Sequence, residues 1–160
     1  MEAAAPAELE GGLARIAGQV TGVFDQVREI SHGIHPALLS ERGLQAALKA
    51  LARRSAVPVE LDLRTGGRLP DQVEVAVYHA ASEALANAAK HARASVVHVE
   101  LDTPDTVVRL AICDDGIGGA DPASGSGLTG LRDRIEALGG TLDVTSPADG
   151  GTTLLIEIPV

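Results

Sequence analysis

The chain has 160 residues, 45% of them hydrophobic and 22% charged, which suits about one soluble domain plus a short extension. Thirteen basic against twenty-two acidic residues leave a net charge of −9, which argues against broad binding to nucleic acid or to an anionic membrane. A phosphate-bearing ligand would have to be held locally, by backbone N–H groups, a metal ion or a few placed cations.

Phe24 and Tyr78 are the only aromatics, so the core must be built from Val, Leu, Ile and Ala. A single cysteine, Cys113, excludes an internal disulfide and fits a reducing cytosol. No apolar run is long enough to span a bilayer, and the N-terminus lacks a signal-peptide pattern, so a cytoplasmic location is expected. Any membrane contact of a parent protein would lie outside this chain.

The Ala-rich first dozen residues read as a frayed start. From Leu13 the apolar positions Ile16, Val20, Val23, Val27, Ile30 and Ile34 recur in alternating steps of three and four, a heptad seam. Such a stripe packs either on its own domain or against a partner helix, and its regularity favours a bundle. Gly18, Gly22 and Gly33 weaken it by up to about 1 kcal/mol each.

His35-Pro36 ends that helix, because the residue before proline is pushed out of the helical region. A second helix is predicted over Gly43–Ser55, with Leu44, Ala47, Leu48 and Leu51 on one face. Val57, Val59, Leu61 and Leu63 alternate as a strand, closed by Thr65-Gly66-Gly67. Asp71 is placed to cap a helix running to about His91. Strands over Ser95–Asp102 and Thr106–Asp114 flank the turn Thr103-Pro104-Asp105 as a hairpin. A glycine-rich stretch, Asp115–Gly127, precedes a helix from about Leu128 to Leu138, stopped by Gly139-Gly140. Thr141–Thr145 and Thr152–Ile158 form the last two strands. Connections this short cannot be parallel crossovers. The fold class is therefore an α/β sandwich: a mixed, mostly antiparallel sheet with helices on one face, preceded by the amphipathic N-terminal helix.

Three segments carry candidate chemistry. On the helix Ser82–Ala92, Glu83 and Asn87 lie one turn apart on one face, with Lys90 and His91 beyond them and Ala84, Leu85 and Ala88 on the apolar side. That stripe reads either as a solvated polar face or as a ligand site, with Asn87 an oxygen donor suited to magnesium that shares substrate phosphates. Asp114-Asp115-Gly116-Ile117-Gly118-Gly119 follows a strand directly. It is either a plain connection or a carboxylate placed to accept from a ligand amine, beside glycines that admit close approach. Gly125-Ser126-Gly127-Leu128-Thr129-Gly130 opens a helix, whose N-terminal amides suit an anion. It is neither a Walker A loop nor a dinucleotide fingerprint.

Together these segments resemble the nucleotide-binding boxes of sensor histidine kinases, within the wider GHKL ATPase superfamily that has the Bergerat fold. Glu83–Ala92 resembles the N-box, Asp114–Gly118 the first glycine box, Gly125–Gly130 the second, and Gly151-Thr152 the terminal Gly-Thr. The segment Arg28–Leu39, with Gly43-Leu44, is similar to the region after the dimerisation helices in kinases that partner NarL-type regulators. The resemblance covers about residues 25–160.

It implies a protein-histidine kinase with ATP and Mg²⁺ as cofactors, a partial dimerisation region over 1–40 and a catalytic ATP-binding domain over 41–160. Asn87 would coordinate Mg²⁺, Glu83 would act as auxiliary base, and Lys90 with His91 would meet the phosphates. Asp114 would accept from the adenine amine, with Thr152 supporting it. Gly116, Gly118, Gly125, Gly127, Leu128, Thr129 and Gly130 would shape the pocket and a lid kept short by the six residues between Gly118 and Gly125. The implied partners are a NarL-type response regulator and a second copy, joined through the N-terminal helix.

The family's phosphoacceptor histidine is followed by an acid, whereas the five histidines here precede Gly33, Pro36, Ala80, Ala92 and Val99. The chain is thus expected to begin after the acceptor helix and not to phosphorylate itself. Alternatives are an anti-sigma-type protein-serine kinase, against which the heptad counts, and a non-catalytic nucleotide-binding dimerisation module.

Overall fold

In the five strands, residues of alternating burial divide the sheet into a covered and an open face. β1 (Val59–Arg64) half-buries Val59, Leu61 and Leu63 and exposes Glu60, Asp62 and Arg64. β2 (Val97–Asp102) buries Val97, Val99 and Leu101, and β3 (Val107–Asp114) buries Val108, Leu110, Ile112 and Asp114. β4 (Thr141–Thr145) buries Leu142, and β5 (Thr152–Pro159) buries Leu154, Ile156 and Ile158. Because successive side chains point to opposite faces, one apolar face must be roofed by helices while the other meets water. These observations come from a computed structural model that describes residues 37–120 and 126–160. The predicted heptad helix Leu13–Ile34, most of the region 1–40 and Gly125 lie outside the described residues.

The strand order is β1-β2-β3-β5-β4, with β1 and β2 parallel and every other pair antiparallel. The parallel step needs a crossover, and the long helix between β1 and β2 supplies it. Both predicted hairpins form, β2–β3 and β4–β5.

Three helices among the described residues make the roof. α1 (Ala37–Arg54) packs on α2 and β1, α2 (Asp71–Asn87) crosses the middle, and α3 (Ser126–Glu136) packs on α2 and β4. α2 is buried nearly all round, through Val73, Ala76, Val77, Ala80, Ala81, Ala84 and Leu85, as a helix flanked by two others over a sheet must be. Its alanines let it lie close to the strands. Aliphatic side chains alone fill the centre, with Leu39, Leu48, Leu101, Leu110, Ile135, Ile156 and Ile158 almost wholly buried.

Local boundaries differ from the sequence pattern in three places. The first described helix spans Ala37–Arg54 and is broken at Gly43 (φ 78°), so the helix predicted from Gly43 is its second piece, and the piece before it was not predicted. Arg68 holds that break. Its side chain packs on the Gly43 backbone, its Nη1 donates to the Ser40 carbonyl (3.2 Å), and its Nε donates to the buried Glu74 carboxylate (3.0 Å). The Leu69 amide gives Glu74 a second donor (3.1 Å), so this buried acid is satisfied.

At the start of α2, Pro70 occupies the capping position that was expected for Asp71, and no side chain caps the helix. The Pro70 carbonyl receives the amides of Val73 and Glu74 (2.8 and 3.0 Å), while Asp71 becomes a first-turn acid facing the positive helix end. Finally, α3 ends at Glu136, two residues before the expected Leu138. Gly139 (φ 73°) turns the chain, and the Gly140 amide returns to the Ile135 carbonyl (3.0 Å).

Candidate functional site

The end of β3 delivers Asp114 to the covered side of the sheet, where it is 9% exposed. Its Oδ1 accepts the Gly116 amide (2.9 Å) and the Thr152 amide (3.3 Å), Thr152 being its cross-strand neighbour on β5. Two amides on one oxygen fix the carboxylate's rotation. Among the described residues no donor meets Oδ2.

Around Asp114 the backbone is packed too closely for side chains. A Cβ on Gly118 (φ 61°) would stand 1.9 Å from the Pro147 carbonyl oxygen, and one on Gly151 (φ 70°) 2.0 Å from the Asp114 carbonyl oxygen. Loop 115–120 and turn 146–151 are laced together by Asp149 N–H to Ile117 O (2.7 Å) and Gly119 N–H to Ser146 O (3.1 Å). The Ser146 hydroxyl accepts the Ala120 amide (2.9 Å) and lies 2.8 Å from the Thr152 hydroxyl. Ser146 escaped the sequence reading, since a serine before Pro147 looks like any turn residue.

The second half of the site belongs to α2. Glu83 is 7% exposed, and Asn87 Nδ2 donates to its Oε1 at 3.3 Å, as the i, i+4 spacing required. The Asn87 amide nitrogen therefore faces Glu83, with the amide oxygen on the other branch of the side chain. The first turn of α3 lies against the same carboxylate, where a Cβ on Gly127 would sit 2.3 Å from Glu83 Oε1. Leu128 is half-buried, Thr129 and Gly130 are exposed, and a Cβ on Gly130 would meet open space.

Past Asn87 the helix widens into a single π-helical turn, Ala88–Ala92, a feature that often marks functional sites. Lys90 and His91 are exposed on it, and Arg93 (φ 52°) closes it. This turn joins the two halves. The Ala92 carbonyl accepts the Ile117 amide (2.8 Å), and a Cβ on Gly116 would fall 2.2 Å from that carbonyl oxygen. Glu83, Asn87 and Gly127 thus form one cluster, Asp114, Gly116, Gly118 and Thr152 another, and Ala92 is the rivet.

The adjacent carboxylate, Asp115, has a different use. It is exposed and accepts the amides of Ser95 (2.7 Å) and Val96 (3.1 Å) together with the Ser95 hydroxyl, tying the loop to the start of β2. The Ser95 hydroxyl first, then the Val96 and Ser95 amides, hold its carboxyl below the usual carboxylate range. A lowered folded-state pKa adds stability above the unfolded value of about 3.9 and loses it as pH falls through the folded value. Asp115→Asn is therefore expected to be less stable than wild type near neutrality, with the difference shrinking below about pH 4. Urea unfolding from pH 2 to 6 measures this.

Among the described residues no group of three His, Cys, Asp or Glu could hold a metal ion by itself. The donor set fits only a hard cation that arrives with its own oxygen ligands, to which the Asn87 amide oxygen adds one.

Residues 72–160 match the family described as histidine kinase-, DNA gyrase B- and HSP90-like ATPase. The oxygen sensor histidine kinase NreB of Staphylococcus carnosus is 30% identical over 162 residues, covering 96% of this chain and 47% of that protein. The nitrate/nitrite sensor protein NarX of Escherichia coli K12 is 32% identical over 152 residues, covering 90% of this chain and 25% of that one. The chain thus spans less than half the length of these curated relatives. The ATP-binding domain of PrrB from Mycobacterium tuberculosis superposes with a TM-score of 0.54 at 27% identity, over 72% of this chain and 90% of that one. The family match takes in more than half of the chain, from the first turn of α2 to the last strand, and the protein belongs to the histidine kinase-, DNA gyrase B- and HSP90-like ATPase family.

Proposed function

We propose that this chain is the ATP-binding catalytic portion of a two-component sensor histidine kinase, passing the ATP γ-phosphate to a histidine for relay to a response regulator. The observation that carries this reading is the pair of buried Glu83 and half-buried Asn87 set against the first turn of α3. Asp114 Oδ2 would accept from the adenine amine, with Thr152 beside it. Leu128, Thr129, Gly130 and the amides of the α3 first turn would border the phosphates, and Lys90 and His91 would balance their charge. Mg²⁺ entering with the nucleotide would be held by the Asn87 amide oxygen and phosphate oxygens, and it would neutralise charge on the transferred group.

In the transfer, an imidazole nitrogen of the acceptor attacks the γ-phosphorus, the bond to ADP breaks, and the ring proton passes to the Glu83 carboxylate. Burial of Glu83 keeps water from competing for that proton. The division into a dimerisation region over 1–40 and a catalytic domain over 41–160 belongs to the same reading. So do a homodimer through the helix Leu13–Ile34, a cytoplasmic site of action and a NarL-type regulator. Among the described residues no helix is long and apolar enough to cross a membrane.

The test supplies a separate histidine-bearing dimerisation helix together with γ-labelled Mg·ATP. Acid-labile label is expected on the supplied helix and none on the five histidines of this chain. Glu83→Gln is expected to slow that labelling by about 100-fold, with ATP affinity held within about threefold. Acid-stable label on serine would overturn the reading in favour of a serine kinase.

A further inference from the structure

Gly43 divides α1 into two helical pieces, its φ of 78° and ψ of 177° lying far outside the helical region. The last carbonyls before such a break lose their partners within the helix. The first piece, Ala37–Arg42, is also too short to hold helical form in water by itself. Its order must come from packing. Leu39 supplies part of that, wholly buried among the core side chains, and Arg68 supplies a second fastening.

The Arg68 guanidinium spans two helices. Nη1 donates to the Ser40 carbonyl on the first piece at 3.2 Å, while Nε donates to Glu74 Oε1 in the first turn of α2 at 3.0 Å. Glu74 is 2% exposed and takes the Leu69 amide on the same oxygen, which makes it a fixed anchor. A planar fork with its N–H bonds in set directions holds both acceptors at once, as a single ammonium nitrogen does not. On the other side of the break, Gln45 Nε2 donates to Thr65 Oγ1 at 2.7 Å. The loop from Thr65 to Leu69 is therefore bonded to both pieces of α1. The glycine between them is a locked elbow and not a free hinge.

α2 carries the Arg68 anchor in its first turn and the Glu83–Asn87 pair near its other end. One rod thus ties the direction of the first piece to the acid and amide of the site. A histidine delivered through the part of the chain before Ala37 would meet the γ-phosphate from a direction that the elbow sets. Misplacing reacting groups by about 1 Å costs about 100-fold in rate.

We infer that Arg68 is a positioning residue that locks the elbow at Gly43 and thereby speeds phosphoryl transfer to a histidine delivered through the chain before Ala37, with no part in nucleotide binding. The inference rests on the kinase reading above and adds to it a residue at the far end of α2 from Glu83.

The experiment compares the full chain as wild type, Arg68→Ala and Arg68→Lys. It follows hydrogen exchange by mass spectrometry, Mg·ATP affinity by calorimetry, and label transfer from γ-labelled Mg·ATP to the supplied histidine-bearing dimerisation helix. Arg68→Ala is expected to speed exchange over residues 37–43 by about 10-fold, from the loss of charge-assisted hydrogen bonds, with β2, β3 and β5 unchanged. ATP affinity stays within about twofold of wild type, while label transfer falls about 10-fold. Arg68→Lys keeps the charge but not the fork. It follows Arg68→Ala within about threefold and covers the case in which the alanine variant fails to fold. Unchanged exchange, a matching fall in ATP affinity, or wild-type transfer in either variant overturns the inference, while labelling by the wild-type chain upholds the kinase reading. Absence of label with the wild-type chain removes that reading and this inference with it.

Discussion

Asp114→Asn is expected to raise the dissociation constant for ATP by at least about 100-fold while leaving the fold intact. The substitution is isosteric, and the amide oxygen of asparagine accepts from Gly116 and Thr152 as Asp114 Oδ1 does now. What changes is the second oxygen, where an acceptor becomes a donor, which on the proposed reading would face the amine of the base. Losing a hydrogen bond to a charged group costs about 1.5–3 kcal/mol, and two opposed donors add to that. Each 1.4 kcal/mol is about tenfold in affinity. Calorimetric titration beside a thermal melt checks both halves, with the melting temperature held within a few degrees. Unchanged ATP affinity would mean that Asp114 does not meet the base.

Gly151→Ala carries the largest expected effect on folding. The residue has φ 70°, and an added methyl would lie 2.0 Å from the Asp114 carbonyl oxygen, a backbone atom with no rotamer to escape into. The left-handed backbone alone costs an alanine about 1–2 kcal/mol, and forced overpacking adds about 1–3 kcal/mol. A loss of about 2–5 kcal/mol should lower the melting temperature by roughly 10 °C or more in a domain of this size. Nucleotide binding should fail with it, because Asp114 and Thr152 border the displaced segment. Gly130→Ala is the internal comparison. Its methyl would meet nothing within 4 Å and sits inside α3, so stability should hold or rise by up to about 1 kcal/mol. A Gly151→Ala melt that matches wild type would contradict the packing described for turn 146–151.

The parts of the protein legible in its sequence are those governed by short-range periodicity. Alternation marked the first strand and turn residues delimited the other four with both hairpins, because side-chain facing and turn length are set within a few residues. The pairing of Glu83 with Asn87 was legible for the same reason, since a helix fixes which residues share a face. The start of α1 was not. Gly43 reads as a helix boundary and is one, but the helical piece before it, whose Ser40 carbonyl is met by Arg68 from far along the chain, left no local signal. The position of β5 between β3 and β4 was equally hidden, because strand order depends on which edges meet, not on local pattern. Ser146 was missed because its role arises where two loops touch. Only the resemblance distinguished Asp114 from its neighbour Asp115 in the sequence, whereas in the structure the two differ physically, Asp114 being buried and Asp115 exposed with three local donors.

The widened turn Ala88–Ala92 acts as a phase shifter in an otherwise regular rod. A continuous α-helix would lock Lys90 and His91 to the azimuth of Glu83 and Asn87, so that any rotation moved acid, amide and cations as one body. With a turn of different pitch between them, the rod can keep its acid–amide pair pressed against α3 while its tip follows the loop to which Ala92 is riveted. Deleting one residue from the turn would restore uniform pitch and remove the slack between the two segments, so that a shift of the loop at Ala92 would be felt directly at Asn87.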